Sequence, residues 1–246
     1  MIIGSNILFK ENLPSTNLHA AQLIKINDIS EGTIIITNYQ LAGRGQMGNK
    51  WESQDGKNLL ISIILFPNKI NPSDQFVLSM AISLGVCDFL KRYIPVCKIK
   101  WPNDIYVNND KIAGLLIENS IMGDQVESTI AGIGLNINQD KFLSDAPNPV
   151  SLRMITGKEY DLKTCLNQLA EDLDKRYKQL IAGELINIKE EYTSHIYRLN
   201  EWCNYRDLAG SYYGQIKSIG EFGTLIIESE SGDIKEYTFK EVDFIL

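Results

Sequence analysis

The run GRGQMGNKW, Gly43 to Trp51, stands between two segments that both read as strands, and this limits the architecture more than any other feature. Before it, TIIITNY (33–39) is β-branched and apolar; after it, NLLISIILF (58–66) reads as a buried strand. Gly43, Gly45 and Gly48 spell the G-x-G-x-x-G of a dinucleotide fold. That motif needs a helix after the glycines, because the helix N-terminus holds the pyrophosphate. It also needs an acidic residue about 20 positions on to hold the ribose, and the stretch 58–73 has none. A phosphate-cradling P-loop fails too, since Lys must follow the last Gly directly and Ser or Thr must come next; here the order is Asn49, Lys50, Trp51. A plain glycine-rich hairpin connection stays open. Against it stand Arg44, Gln46, Lys50 and Trp51, packed among the glycines. Glycine admits close approach to a ligand and Arg pairs with phosphate, so the loop supports an anion site.

The rest of the chain supplies a mixed α/β frame. Ser15, Thr16 and Asn17 precede LHAAQLIKI and can cap the start of a helix. Residues 73–93 carry apolar side chains at helical spacing, with Val77, Met80, Ala81, Leu84 and Val86 on one broad face. CKIKW reads as a short strand, IYVNNDKIAGLLIE as a hairpin turning at Asn108–Asp110, and ESTIAGIGLNIN as another strand. Helices are predicted over 162–181 and 185–197. From about residue 200 the texture changes to short β runs separated by Gly220, Gly223 and Gly232, which suggests a small barrel. The expected division is a domain over 1–199 and a small β domain over 200–246.

A formal charge of −7 over 246 residues argues against a general nucleic-acid binder. The four cysteines form no C-x-x-C pair and only two histidines accompany them, so no structural zinc site is expected. Free thiols fit a reducing compartment. The N-terminus lacks a basic n-region and a long apolar core, and no apolar run reaches membrane-spanning length, so a cytoplasmic protein without a membrane partner is expected.

Two further constellations carry chemistry. In KIKWPND, Pro102 holds Trp101 extended and so places Lys100 at the end of a strand, beside Asn103 and Asp104. Lys111, entering the second hairpin strand, adds another cation nearby. A solvated strand-edge lysine is the plain alternative for Lys100. In AGIGLNIN, Gly132, Gly134 and Asn136 share one strand face by period two. This makes either a floor for a flat ligand or a strand thinned for close packing.

In this order and spacing, SerThrAsn 15–17, Gln40, GRGQMGNKW, KWPND, KIAGLLIE, GIGLNIN, Ser151–Leu152 and the C-terminal β runs resemble the biotin protein ligase family. The resemblance covers most of the chain. It implies an α/β catalytic domain on a mixed sheet, followed by a small SH3-like β-barrel. It implies a two-step reaction: biotin and ATP, with Mg²⁺, form biotinyl-5′-AMP and pyrophosphate, and a lysine of a biotin carboxyl carrier domain then takes the biotinyl group. By motif position it implies biotin contacts from Ser15, Thr16, Asn17, Gln40, Arg44, Gly45, Gln46, Lys100 and Gly114. Nucleotide contacts are implied for Arg44, Lys50, Trp51, Lys111, Gly132, Gly134 and Asn136. Lys100 is the expected catalytic cation, with Arg44 beside it, and Asp104 is a candidate metal ligand.

The signature begins by Ser15, so the N-terminal DNA-binding winged helix of bifunctional relatives is not expected here. Many bacterial members carry Arg where this chain has Gln46, and another basic residue where it has Asn49, so this loop has less charge. A closing lid is expected at Gly43–Lys50, with Trp51 anchoring it. An exposed sheet edge is expected to pair with a carrier or with a second copy, as a homodimer. The alternatives are a lipoate protein ligase, whose usual RR-x-x-GGG segment is missing here, and a non-catalytic nucleotide- or biotin-binding module.

Overall fold

A computed structural model of the chain describes residues 1–26, 29–143 and 148–245; Leu246, the last residue of the expected β domain, lies outside them. The central element is β3 (Leu59–Leu65), whose seven residues LLISIIL are all buried, which is why its sequence shows no polar alternation. It sits third in a seven-stranded sheet ordered β1-β2-β3-β7-β6-β5-β4. The other strands are β1 (Ile7–Leu13), β2 (Ile34–Gln40), β4 (Lys98–Lys100), β5 (Asp104–Val107), β6 (Asp110–Met122) and β7 (Gln125–Leu135). Only the β1–β2 pair is parallel among these; the connection between them is α1 (Thr16–Lys25).

Both faces of the sheet are covered. Leu59, Ile61, Ile63 and Leu65 belong to the main core, together with α2 (Phe76–Lys91), α4 (Leu162–Ile181) and α5 (Leu185–Ser194). The alternate residue Ile64 joins Ile35, Ile130 and Ala20 under α1. The segment Pro72–Lys91 is long and apolar enough to cross a membrane, but 72% of its apolar window is buried inside the protein. Its apolarity is that of a core helix wedged between sheet and helices. Arg176 of α4, only 8% exposed, ties α2 to α5: its Nε donates to Asp88 Oδ2 at 2.5 Å and its Nη1 to Glu191 Oε2 at 2.6 Å.

Most expected elements are present, including the hairpin turn, where Asn108 takes a left-handed φ of 54°. Two were not anticipated. β1 is missing from the sequence reading because its side chains are mostly exposed and show no apolar alternation. The short α3 (Leu152–Thr156) is capped by Ser151, whose side chain accepts from Met154 N, and ends at Gly157 in the left-handed region.

The second sheet begins at Trp202. Its order is β11-β10-β9-β8-β12, built from β8 (Trp202–Asp207), β9 (Gly210–Ile219), β10 (Leu225–Ser229), β11 (Ile234–Tyr237) and β12 (Asp243–Phe244). All of its pairings are antiparallel. This small β domain is fastened to the first sheet. Trp101 Nε1 donates to Gly223 O at 2.8 Å, and the Phe239 ring packs on Trp101 and Phe76 with centroids 5.3 and 5.8 Å away.

Candidate active site

The cavity lies on the α1 side of the sheet, where three glycines thin it. Gly114 of β6 pairs directly with Gly134 of β7, and Leu116 pairs with Gly132. A Cβ on Gly134 would stand 2.4 Å from Trp51 Cε2, and one on Gly114 would stand 2.8 Å from Trp51 Cζ3. The Trp51 indole therefore lies flat against strands that only glycine can provide, and its buried Nε1 has no hydrogen-bond partner among the described residues. A Cβ on Gly132 would stand 2.3 Å from Asn17 Oδ1, so this glycine makes room for the start of α1. The cavity encloses about 150 Å³.

One wall is the entry of α1. Ser15, Thr16 and Asn17 are all buried. Ser15 occupies the N-cap position, but its side chain makes no capping bond. The cap comes instead from β2: Gln40 Oε1 accepts from Thr16 N at 2.8 Å and from Thr16 Oγ1 at 3.2 Å. Asn17 is held on every side. Ser62 Oγ donates to its Oδ1 at 2.6 Å, and its Nδ2 donates to Leu116 O at 3.1 Å and Glu118 Oε2 at 2.7 Å.

The glycine loop forms the roof as a closed turn. Gly45 N donates to Asn49 O at 2.6 Å, Trp51 N donates to Gly43 O at 3.1 Å, and Arg44 bridges to Lys50 along the backbone. Arg44, Gly45, Gln46, Asn49 and Lys50 all line the cavity. Arg44 Nη2 stands 3.4 Å from both oxygens of Glu118. A continuous polar chain thus runs from the roof to the floor: Arg44, Glu118, Asn17, Ser62. Glu118 and Ser62 escaped the sequence reading because their role depends on α1 crossing above β3 and β6, which no local pattern announces.

The far wall carries Asn103, Asp104 and Lys111. Lys111 Nζ is 2.7 Å from Asp104 Oδ1 and 5.6 Å from the centre of the Trp51 ring. Lys100 pairs across the sheet with Asp104, in the row that continues to Gly114 and Gly134, and so stands beside the cavity; the lysine that touches the lining itself is Lys111. Lys100 Nζ donates to the Tyr106 hydroxyl at 3.2 Å and sits against the rings of Tyr106 and Phe244, 5.0 and 5.2 Å from their centres. Burial there pushes its pKa below the usual lysine value, Asp104 opposes the fall, and Lys111 and Arg198 add to it.

Lys111 reaches the lining through a β-bulge. Asp104 pairs with Gly114 and Ile105 with Ala113, but Tyr106 then pairs with Lys111. The extra residue, Ile112, goes to the core at 0% exposure. Simple alternation puts Lys111 on the opposite face from Gly114; the bulge turns it onto the same face, next to Asp104.

Asn136 is likewise absent from the lining. It lies just past the end of β7, where its N donates to Ile112 O and its Nδ2 to Val150 O. It fastens the segment leading to α3. Residues of the lining that were not anticipated are Asn49, Asn103, Ile61, Leu115, Leu116, Ile133 and, from the small β domain, Lys240.

A resident metal does not fit these donors. Among the described residues no three His, Cys, Asp or Glu side chains stand together, and Asp104, the one lining carboxylate, is engaged by Lys111.

The profile of the biotin/lipoate A/B protein ligase family matches residues 9–138. The chain is 30% identical over 244 residues to a bifunctional ligase/repressor of Bacillus subtilis, covering 96% of this chain and 74% of that one. It is 29% identical over 225 residues to a biotin–[acetyl-CoA-carboxylase] ligase of Paracoccus denitrificans, covering 89% of this chain and 92% of that one. Among solved structures it is similar to the biotin protein ligase from Aquifex aeolicus in complex with biotin and ATP, at a TM-score of 0.80 and 29% identity, over 97% of this chain and 98% of that one. By these matches this chain belongs to the biotin/lipoate A/B protein ligase family.

Proposed function

We propose that the chain is an ATP-dependent ligase that activates biotin as biotinyl-5′-AMP and transfers it to one lysine of a biotin carboxyl carrier protein or carrier domain. The observation that carries this is the joining, in one cavity, of neutral polar side chains and cations: Ser15, Thr16, Asn17 and Gln40 line it together with Arg44, Lys50 and Lys111. Biotin's ureido ring is polar and uncharged, so it calls for matched donors and acceptors. Its carboxylate and the nucleotide phosphates call for fixed cations.

In the first step a carboxylate oxygen of biotin attacks the α-phosphorus. The new O–P bond forms as the bond to the β-phosphate oxygen breaks, and pyrophosphate leaves. No base is required, because the carboxylate is already ionised. Two anions must approach, and charge on the transferring phosphoryl group must be stabilised in the transition state. Lys100 and Arg44, with Lys111 beside them, supply that charge. Lys111 is steadied by Asp104, so it costs little reorganisation when the phosphate arrives. In the second step the neutral amine of the carrier lysine attacks the anhydride carbon, AMP leaves with the bonding pair, and the amine loses a proton.

Mg²⁺ enters as the chelate of the nucleotide, since this ion usually keeps its waters and binds through substrate phosphates. The Gly43–Lys50 roof covers the anhydride and excludes water. The catalytic domain comprises 1–199, and 200–246 form the accessory β domain. The test mixes the protein with biotin, ATP, Mg²⁺ and a carrier domain. A mass increase of one biotinyl group on a single carrier lysine is expected. Pyrophosphate exchange that depends on lipoate and not on biotin would assign the chain to the lipoate branch.

A further inference from the structure

Lys100 and Lys111 are each held by one neighbour, and the two holders differ in charge. Lys111 Nζ is 2.7 Å from Asp104 Oδ1, a carboxylate that offsets its charge. Lys100 Nζ donates to the Tyr106 hydroxyl at 3.2 Å, and a neutral hydroxyl leaves the positive charge whole. Among the described residues no carboxylate forms an ion pair with Lys100; Asp104 attracts its amine from beyond that distance, while Lys111 and Arg198 repel it.

Tyr106 is fixed in place. It is 1% exposed, and its ring centre lies 5.4 Å from that of Tyr197. The Tyr197 hydroxyl in turn donates to Asn109 Oδ1 at 2.7 Å, in the turn of the same hairpin. Lys100 pairs in register with Asp104, and Tyr106 follows two residues along β5 on the same face. That is the diagonal position a long side chain reaches. The amine also lies 5.0 Å from the centre of the Tyr106 ring. A free lysine spreads its amine over many rotamers, so this anchor decides where the charge sits. The anchor has no other evident use. Among the described residues Lys100 is the one polar partner of the Tyr106 hydroxyl. Phenylalanine would fill the same buried space with no hydroxyl to satisfy.

We propose that Tyr106 is a positioning residue for adenylation: its hydroxyl fixes the Lys100 amine beside the cavity while leaving its charge uncompensated. This rests on the adenylation reading above. Tyr106 does not line the cavity, so it acts through Lys100 alone. Its neutrality is essential, because a carboxylate there would hold the amine but offset the charge that the transition state draws on.

The test uses the full chain with Tyr106→Phe, Tyr197→Phe, Lys100→Ala and the Tyr106→Phe, Lys100→Ala double variant. Phenylalanine at 106 keeps the ring and removes only the hydroxyl. In biotin-dependent pyrophosphate exchange, Tyr106→Phe is expected to lower kcat about tenfold or more, since a loose amine costs orientation. The KM values for ATP and biotin are expected to stay within about twofold, because binding is not what is lost. In the Lys100→Ala background the same change is expected to cost nothing further, since the hydroxyl then has no amine to hold. Tyr197→Phe strips a hydroxyl from the same ring pair and is expected to leave kcat within about twofold. An unchanged kcat in Tyr106→Phe, with wild type active, overturns the proposal. So does full additivity in the double variant, because a loss of folding persists without Lys100. An equal fall of kcat in Tyr197→Phe overturns it too, by assigning the effect to packing of the two rings. A wild type without biotin-dependent exchange removes the adenylation reading instead, and that control tells the two failures apart.

Discussion

Lys111 and Asp104 meet across the β5–β6 hairpin, Nζ to Oδ1 at 2.7 Å, and this contact holds a positive charge at the cavity wall. Lys111→Ala is therefore expected to slow adenylate formation about a hundredfold or more, the usual cost of removing one preorganised electrostatic group. Lys100→Ala is expected to slow it on the same scale, since Lys100 stands in the cross-strand row of Asp104 and Gly114. Initial rates of biotin-dependent pyrophosphate exchange measure both, and a near-normal rate in either variant removes that lysine from the first step.

Gly132 and Asn17 form the tightest contact of the floor, with a Cβ at position 132 only 2.3 Å from Asn17 Oδ1. Gly132→Ala must displace a carboxamide that makes three hydrogen bonds. The expected destabilisation is about 1–3 kcal/mol by urea unfolding. In the Gly132→Ala, Asn17→Ala double variant the clash is removed, so the combined loss should fall short of the sum of the single losses. Simple additivity would show that the two side chains do not meet.

The roof is joined to the floor by Arg44 and Glu118, which are 39% and 40% exposed. A pair this open contributes under about 1 kcal/mol to folding. Glu118→Gln is thus expected to leave the melting temperature nearly unchanged. It should, however, free the roof, so that protease cuts within Gly43–Lys50 faster in the ligand-free protein. Biotin with ATP should slow cleavage in wild type. Identical cleavage rates with and without ligand would refute a closing roof.

In the small β domain, Lys235 and then the Tyr237 hydroxyl hold the Asp207 carboxyl down at about 2. A carboxylate with a depressed pKa adds stability above its unfolded value of about 3.9, and that stability is lost as the pH falls through the folded value. Wild type should lose stability between about pH 4 and pH 2, and Asp207→Asn should show a flatter profile over that window. Unfolding followed in acid by near-ultraviolet circular dichroism measures it; parallel profiles would remove Asp207 from the account.

The local signals of the chain went far because they were short-range. The all-buried strand Leu59–Leu65, the turn at Asn108 and the capped α4 follow from runs, glycines and side-chain chemistry within a few residues. The glycines that thin the sheet were equally visible, since only close approach explains so many missing side chains at that spacing. What local pattern could not supply was pairing. Gln40, not Ser15, caps α1, because the carboxamide arrives from a neighbouring strand. Lys240 reaches the cavity only because Phe239 docks one sheet on the other.

The composition of the site was thus written in the order of residues, but the face on which Lys111 emerges was not. By period two, Lys111 faces away from Gly114; a single extra residue in β6, Ile112, drops into the core and reverses that. A bulge is settled by how two strands pack against everything around them, so the face on which Lys111 emerges was a property of the folded sheet and not of the stretch that contains it.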